Sequence, residues 1–182
     1  MKLPPLETER LLIRPFVETD LPAVLNIFEA ADADEKRQQW LSWWLHWNSI
    51  NHQVLAQLYQ PPYGDRAVEL KATGEVVGAC GLVPSFGPFA QLESGEPALN
   101  SPEMGLFYWF APEARGQGYA TEAARALVNF AFETLRLKRV VATTEFDNLA
   151  SQAVMRKLGM RLARNPLPQP EWFQVVGVLE ND

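Results

Sequence analysis

The stretch APEARGQGYATEAARALVNFAF, Ala111–Phe132, runs a glycine-rich turn straight into an amphipathic helical pattern. Ala120, Ala123, Ala124, Leu127, Ala131 and Leu135 recur at helical spacing, with Glu122, Asn129, Glu133 and Arg136 on the other side. A helix start leaves backbone N–H groups without partners and carries the positive end of the helix dipole, so it attracts anions, phosphate above all. Gly116 and Gly118 remove side chains from the approach, Arg115 adds a cation, and Ala120 is small enough to let the helix pack near a ligand. The same two glycines also suit a plain strand-to-helix turn with positive φ. The turn alone leaves both readings open. A dinucleotide fingerprint would need a third glycine where Thr121 stands, and a P-loop would need G-K-[ST], so both of those phosphate turns are excluded.

Outward from this turn the chain reads as alternating strands and helices. ERLLIRPF alternates around Leu11 and Ile13 and predicts a first strand. TDLPAVLNIF predicts a helix capped by Thr19 or Asp20, with Pro22 in its first turn and Leu21, Val24, Leu25 and Phe28 on one face. The segment from Asp34 to Gln60 has helical period, as one helix or two broken near Asn48, with Trp40, Trp43, Trp44 and Trp47 in a stripe read as core rather than ligand wall. RAVELKATGEVVGACGLVP predicts two strands around Thr73-Gly74, and Ser85 to Ser101 a long loop. EMGLFYWF predicts a strand buried on both faces. RVVATTEF follows the central helix as another strand. DNLASQAVMRKLGM predicts a short helix with Asn148 as cap, Lys157 in its last turn and Gly159 at its end, and two closing strands complete the chain. The order β α α β β β α β α β β gives an α/β (α+β) fold, helices packed on a mixed, mostly antiparallel twisted sheet, in one domain over 1–182.

Composition narrows the function classes. The chain has 182 residues, 47% hydrophobic and 21% charged, with 16 basic and 22 acidic residues for a net charge of −6. Such a field disfavours nucleic acid, and an anionic ligand needs a local positive site. No apolar run approaches the ~20 residues of a membrane helix, and the N-terminus has no signal-peptide core. The single Cys80, in an apolar strand, excludes an internal disulfide and a cysteine metal cluster. His46 and His52 are not spaced as a helical metal pair, so no metal is expected. The expected setting is cytoplasmic.

RGQGYA resembles the Q/R-x-x-G-x-G/A signature of GCN5-related N-acetyltransferases, with Arg115, Gly118 and Ala120 at the defining places. LETERLLIRPF at the front, GYATEA after the turn, and NLASQAVMRKLGM near the end, similar to N-x-x-S-x-x-x-x-x-K-L-G-[FM], extend the resemblance in the right order over most of the chain. Together they resemble the branch that acetylates ribosomal-protein N-termini. The resemblance implies a V-shaped splay between two central parallel strands, those ending in Tyr108-Trp109-Phe110 and in RVVATTEF, with acetyl-CoA as co-substrate in the cleft. It implies that backbone N–H groups of Gly116, Gln117, Gly118, Tyr119, Ala120 and Thr121, with Arg115, hold the pyrophosphate. The backbone of Tyr108, Trp109 and Phe110 would pair with the pantetheine arm, and Asn148 would bond that arm from the other side as well as cap its helix.

The implied reaction needs a neutral amine, a route for its proton and a protonated thiol. Glu103 stands 12 positions before Arg115, a spacing that resembles relatives with a glutamate base on this strand; as a residue it is a base, an amine-positioning group or one half of an ion pair. Many relatives carry a tyrosine acid seven residues after the asparagine, where this chain has Met155. The N-terminal-acetylating branch points instead to Ser151 as the acid, which otherwise serves its own helix start. The implied acceptor is a primary amine, on a protein N-terminus or a small molecule, with no nucleic-acid or membrane partner and a homodimer compatible with the sequence. A catalytically weak acyl-CoA-binding regulatory module is the alternative.

Overall fold

Leu11 and Ile13 are fully buried, as their alternation requires, and sit in the second of eight strands. The computed structural model describes residues 4–181. Its strands are β1 (Leu6–Glu7), β2 (Leu11–Arg14), β3 (Gly64–Leu70), β4 (Val76–Gly87), β5 (Ser101–Phe110), β6 (Arg139–Thr144), β7 (Arg161–Arg164) and β8 (Val175–Glu180). Its helices are α1 (Leu21–Ile27), α2 (Glu35–Gln57), α3 (Gln91–Ser94), α4 (Tyr119–Asn129) and α5 (Leu149–Leu158). The strands form one mixed sheet in the order β1-β2-β3-β4-β5-β6-β8-β7, flanked by the helices. β5 and β6 run parallel, registered at Gly105↔Val141, whereas β2–β3, β3–β4, β6–β8 and β7–β8 are antiparallel. This is the α/β architecture the sequence predicts, with β1 and α3 added.

The described chain divides into two compact units, one holding the residues up to Leu82 with Phe107–Leu127, the other Val83–Leu106 with Val128 onward. In the first, α1 and α2 bury Val24, Leu41 and Leu45 with Phe16, Ala67 and Ala79. Pro22 lies in the first turn of α1 as expected, but Asp20 does not cap that helix. Its carboxylate accepts instead from Arg14 at 2.8 and 3.0 Å and from the Val17 N–H at 2.9 Å, closing the short turn before the helix. α2 is one unbroken helix of 23 residues, capped by Asp34, which accepts from the Arg37 N–H at 2.8 Å. Its buried face is Leu41, Leu45, Asn48, Asn51 and Leu55. The tryptophan stripe is therefore not core: only Trp44 packs inward, edge-on to Phe16 and Phe28, while Trp40, Trp43 and Trp47 are exposed.

The second unit closes around Phe89, Val141, Phe173 and Val176. The expected loop from Ser85 to Ser101 is shorter, because β4 runs on to Gly87 and α3 interrupts the remainder, ending at Gly95 in the left-handed conformation. β5 is buried at Leu106 and Phe110 but 45% exposed at Trp109, so it is not covered on both faces as its apolar run suggested. The helical period past Asn129 continues in a wider π turn, Phe130–Thr134, with the Leu135 N–H donating to Phe130 O at 3.1 Å.

Candidate active site

The turn at the start of α4 is built in the first unit. Gly116 and Gly118 have φ of 75° and 83°, conformations that L side chains rarely adopt. A Cβ on Gly116 would meet nothing within 4 Å, and one on Gly118 only Arg10 Nη2 at 3.5 Å. The glycines therefore answer to backbone conformation, and the space over them is open. The Glu122 N–H donates to Gly118 O at 3.1 Å, the first bond of the helix, so the N–H groups of Tyr119, Ala120 and Thr121 have no acceptor within it.

Arg115 folds back on this turn. Its Nε donates to Phe110 O at 2.9 Å and its Nη2 pairs with Glu29, which itself sits in the left-handed region at φ 52°. The Arg115 charge is thus shared with a carboxylate rather than standing alone. Glu113 accepts from Asn26 at 2.6 Å, while the Gln117 side chain donates to Glu113 O at 2.9 Å. A bond from its own backbone and the bond from Asn26 hold the Glu113 carboxyl below its usual range.

Arg10 is the residue that sequence reasoning missed. Its Nη1 donates to Gln117 O at 3.1 Å, its guanidinium lies 4.5 Å from the Tyr119 ring centre, and its Nε reaches Glu122 at 2.7 Å. Glu122 also accepts from the Thr8 hydroxyl at 2.6 Å and the Arg10 N–H at 3.0 Å. Burial pushes the Glu122 carboxyl up, but these bonds outweigh it and hold the group below its ordinary value. Four donors from one short segment therefore fix the first turn of α4. The sequence signal was present, since Arg10 stands inside the quoted LETERLLIRPF, but its partner lies 112 positions away.

At the end of β5, Phe110 is buried under Gly78, where a Cβ would come within 2.5 Å of its ring. Trp109 stacks on Phe28 with centroids 5.9 Å apart, leaving its other face exposed. Tyr108, which precedes them in the strand, is half-buried.

The second unit holds the remaining predicted residues. Asn148 caps α5, its Oδ1 accepting from the Ser151 N–H at 3.0 Å. That bond uses the backbone N–H of Ser151, which is half-buried. Met155 is fully buried, its sulfur 3.1 Å from where a Cβ on Gly177 would stand, which makes it a core side chain of this unit. Glu103 is 10% exposed and forms a bidentate pair with Arg139, Nε to Oε2 at 2.7 Å and Nη2 to Oε1. The hydrogen bond to Glu103 raises the Arg139 pKa against the opposing effect of its burial.

A cleft of 430 Å³ in the same unit, walled by Pro88, Pro97, Leu167, Pro168 and Pro170, has no titratable lining residue and contains none of the predicted site. Among the described residues no group of His, Cys, Asp and Glu could hold a metal, and no helix is long and apolar enough to cross a membrane. Cys80 is fully buried, and burial pushes its thiol well above the usual range, as an inert core cysteine requires.

A family model described as an Acetyltransferase (GNAT) domain matches residues 10–161. The chain belongs to the GNAT acetyltransferase family. It is 30% identical to the uncharacterised N-acetyltransferase YoaA of Bacillus subtilis over 164 residues, 87% of this chain and 83% of that protein. Among solved structures it is similar to an acetyltransferase from Agrobacterium tumefaciens, with a TM-score of 0.71 and 26% identity over 99% of this chain and 96% of that one. It shares its fold with Mycobacterium smegmatis RimJ, solved in complex with CoA-disulfide, at a TM-score of 0.65 and 21% identity over 97% and 86% of the two chains.

Proposed function

We propose that the chain moves the acetyl group of acetyl-CoA directly to a primary amine, on a peptide N-terminus or a small molecule. The observation that carries the cofactor is the turn from Arg115 to Thr121: open glycines, N–H groups without helical acceptors, and a first helical turn held by Arg10. Family membership supplies the reaction class, and the CoA-disulfide bound to Mycobacterium smegmatis RimJ supports the cofactor. In this reading the backbone N–H groups from Gly116 to Thr121 take the pyrophosphate, with Arg115 beside them. The backbone of Tyr108, Trp109 and Phe110 pairs with the pantetheine arm, and one N–H there polarises the thioester carbonyl. Asn148, whose Oδ1 is committed to the cap, offers its Nδ2 as donor to a pantetheine carbonyl.

The amine nitrogen attacks the thioester carbonyl and the carbon–sulfur bond breaks. Glu103 takes the proton of the amine, and the Ser151 hydroxyl protonates the departing thiolate, regaining its proton from water. Two observations favour a weaker catalyst as second reading: Met155 is core where many relatives have an acid, and Glu103 is already paired with Arg139.

A panel of free-N-terminal peptides and small amines, read by CoA release, tests the proposal. Release with one acceptor class, matched by acetylated product, is expected. Acetyl-CoA binding without release across the panel would leave a binding module, and absence of binding would remove the site altogether.

A further inference from the structure

α2 presents three faces. One packs inward through Leu41, Leu45 and Asn48, and one is polar, with Gln39, His46 and Gln53 exposed. Between them runs a third face that is apolar and open. Trp40, Trp43, Trp47, half-buried Ile50, Val54 and Leu58 recur at spacings of three, four, three, four and four, the rhythm of a helix–helix seam. Trp43 is 67% exposed and Leu58 60%, with Trp40, Trp47 and Val54 at 46%, 45% and 40%. From Gln38 to Gly64 the chain has no Asp, Glu, Lys or Arg, although 21% of the whole chain is charged. A helix face facing only water normally carries charges. Three half-exposed indoles with Val54 and Leu58 leave on the order of 500 Å² of apolar surface together, at the upper end of what a monomer keeps in one patch.

We propose that this stripe is a two-fold interface with a second copy of this chain, formed by antiparallel packing of α2 on α2 centred on Trp47. Three features favour a second copy. The chain carries a net charge of −6, so two copies repel over most of their surface and least along an uncharged stripe. Centring on Trp47 sets Trp40 of one copy against the smaller Val54 of the other at both ends, with the two Trp47 indoles meeting at the two-fold axis. The doubled patch, roughly 1,000 Å², reaches the lower bound for a specific interface. The same centring brings Lys36 and Arg37 of one copy beside Leu58 and the 95% exposed Tyr59 of the other, an aromatic partner for a cation.

Sedimentation velocity of the full chain across the micromolar range tests this. A monomer–dimer equilibrium is expected, with the dissociation midpoint raised at least tenfold in Trp43→Glu and in Val54→Glu while the far-ultraviolet circular dichroism of each stays that of the parent. Because the one native cysteine is buried, Trp47→Cys should give a covalent dimer on mild oxidation, and Gln53→Cys, on the polar face, should not. A parent that stays monomeric throughout overturns the proposal and assigns the stripe to another occupant, such as an amine substrate. A folded Trp43→Glu or Val54→Glu that dimerises like the parent overturns it too, as does equal cross-linking of the two cysteine variants.

Discussion

Glu103 and Ser151 differ in what they already hold. Glu103 is committed on both oxygens to Arg139, and Arg139 also lies 3.8 Å from Glu180, so Glu103→Gln leaves the cation with a second carboxylate nearby. If Glu103 takes the amine's proton, Glu103→Gln should lower kcat about 10²–10⁴-fold, abolish the acid limb of the pH–rate profile and leave acetyl-CoA affinity unchanged. A parent-like profile with reduced stability would assign Glu103 to the ion pair alone. Ser151 contributes its backbone N–H to the cap made by Asn148. Ser151→Ala should therefore keep that cap bond and slow acetyl transfer, by less than the full general-acid factor because water can substitute. Unfolding midpoint and turnover measured on one preparation separate these effects, and full turnover would leave the thiolate without a protein acid. The asparagine cap and the glycine at the end of α5 were legible because local hydrogen bonds need only a few neighbouring residues. The pairs Arg10–Glu122 and Arg139–Glu103 were not, because each joins residues far apart in the chain.

At the scale of elements, period-2 and period-3.6 patterns placed the strands and helices well where one face is apolar. They placed α2 as a helix but chose the wrong buried face, because that helix has two adjacent apolar faces. The indoles carry the larger apolar area, yet the Leu41–Leu45–Asn48–Leu55 face is the one that packs inward. Its polar members have a reason to be there: Asn48 Oδ1 accepts the Asp65 N–H at 2.9 Å, at the start of β3. Beside it, Asp65 Oδ1 is buried without a hydrogen-bond partner among the described residues. Burial pushes the Asp65 carboxyl from 3.8 up to about 7, opposed by a hydrogen bond from the Trp44 indole. Between pH 4 and 7 the folded chain thus holds a proton that the unfolded chain has lost, and Asp65 makes stability fall as pH rises through that window, by up to about 1.4 kcal/mol per pH unit. Asp65→Asn keeps the acceptor for Trp44 and removes the charge. Its urea midpoint should gain on the parent's steadily from pH 4 to 7 and hold that gain above, whereas parallel profiles would contradict the assignment.

For the whole molecule, the mixed sheet with a parallel β5–β6 pair, the family and the position of the glycine turn were all legible before any coordinates, because the turn and the motifs around it are contiguous in sequence. The acceptor was not, since none of the motifs around the turn distinguishes a peptide N-terminus from a small amine. In the proposed reaction, bare backbone at the start of α4 binds the cofactor. Gly118→Asp addresses it directly, because a carboxylate there would stand at φ 83° in the open space over the turn, where only Arg10 comes near. Calorimetric titration of acetyl-CoA into the parent and into Gly118→Asp, with the folded state of the variant checked by circular dichroism, is the decisive measurement. The parent should bind at one site, and the variant should lose at least tenfold in affinity, about 1.4 kcal/mol. Equal affinity in a folded Gly118→Asp would contradict it.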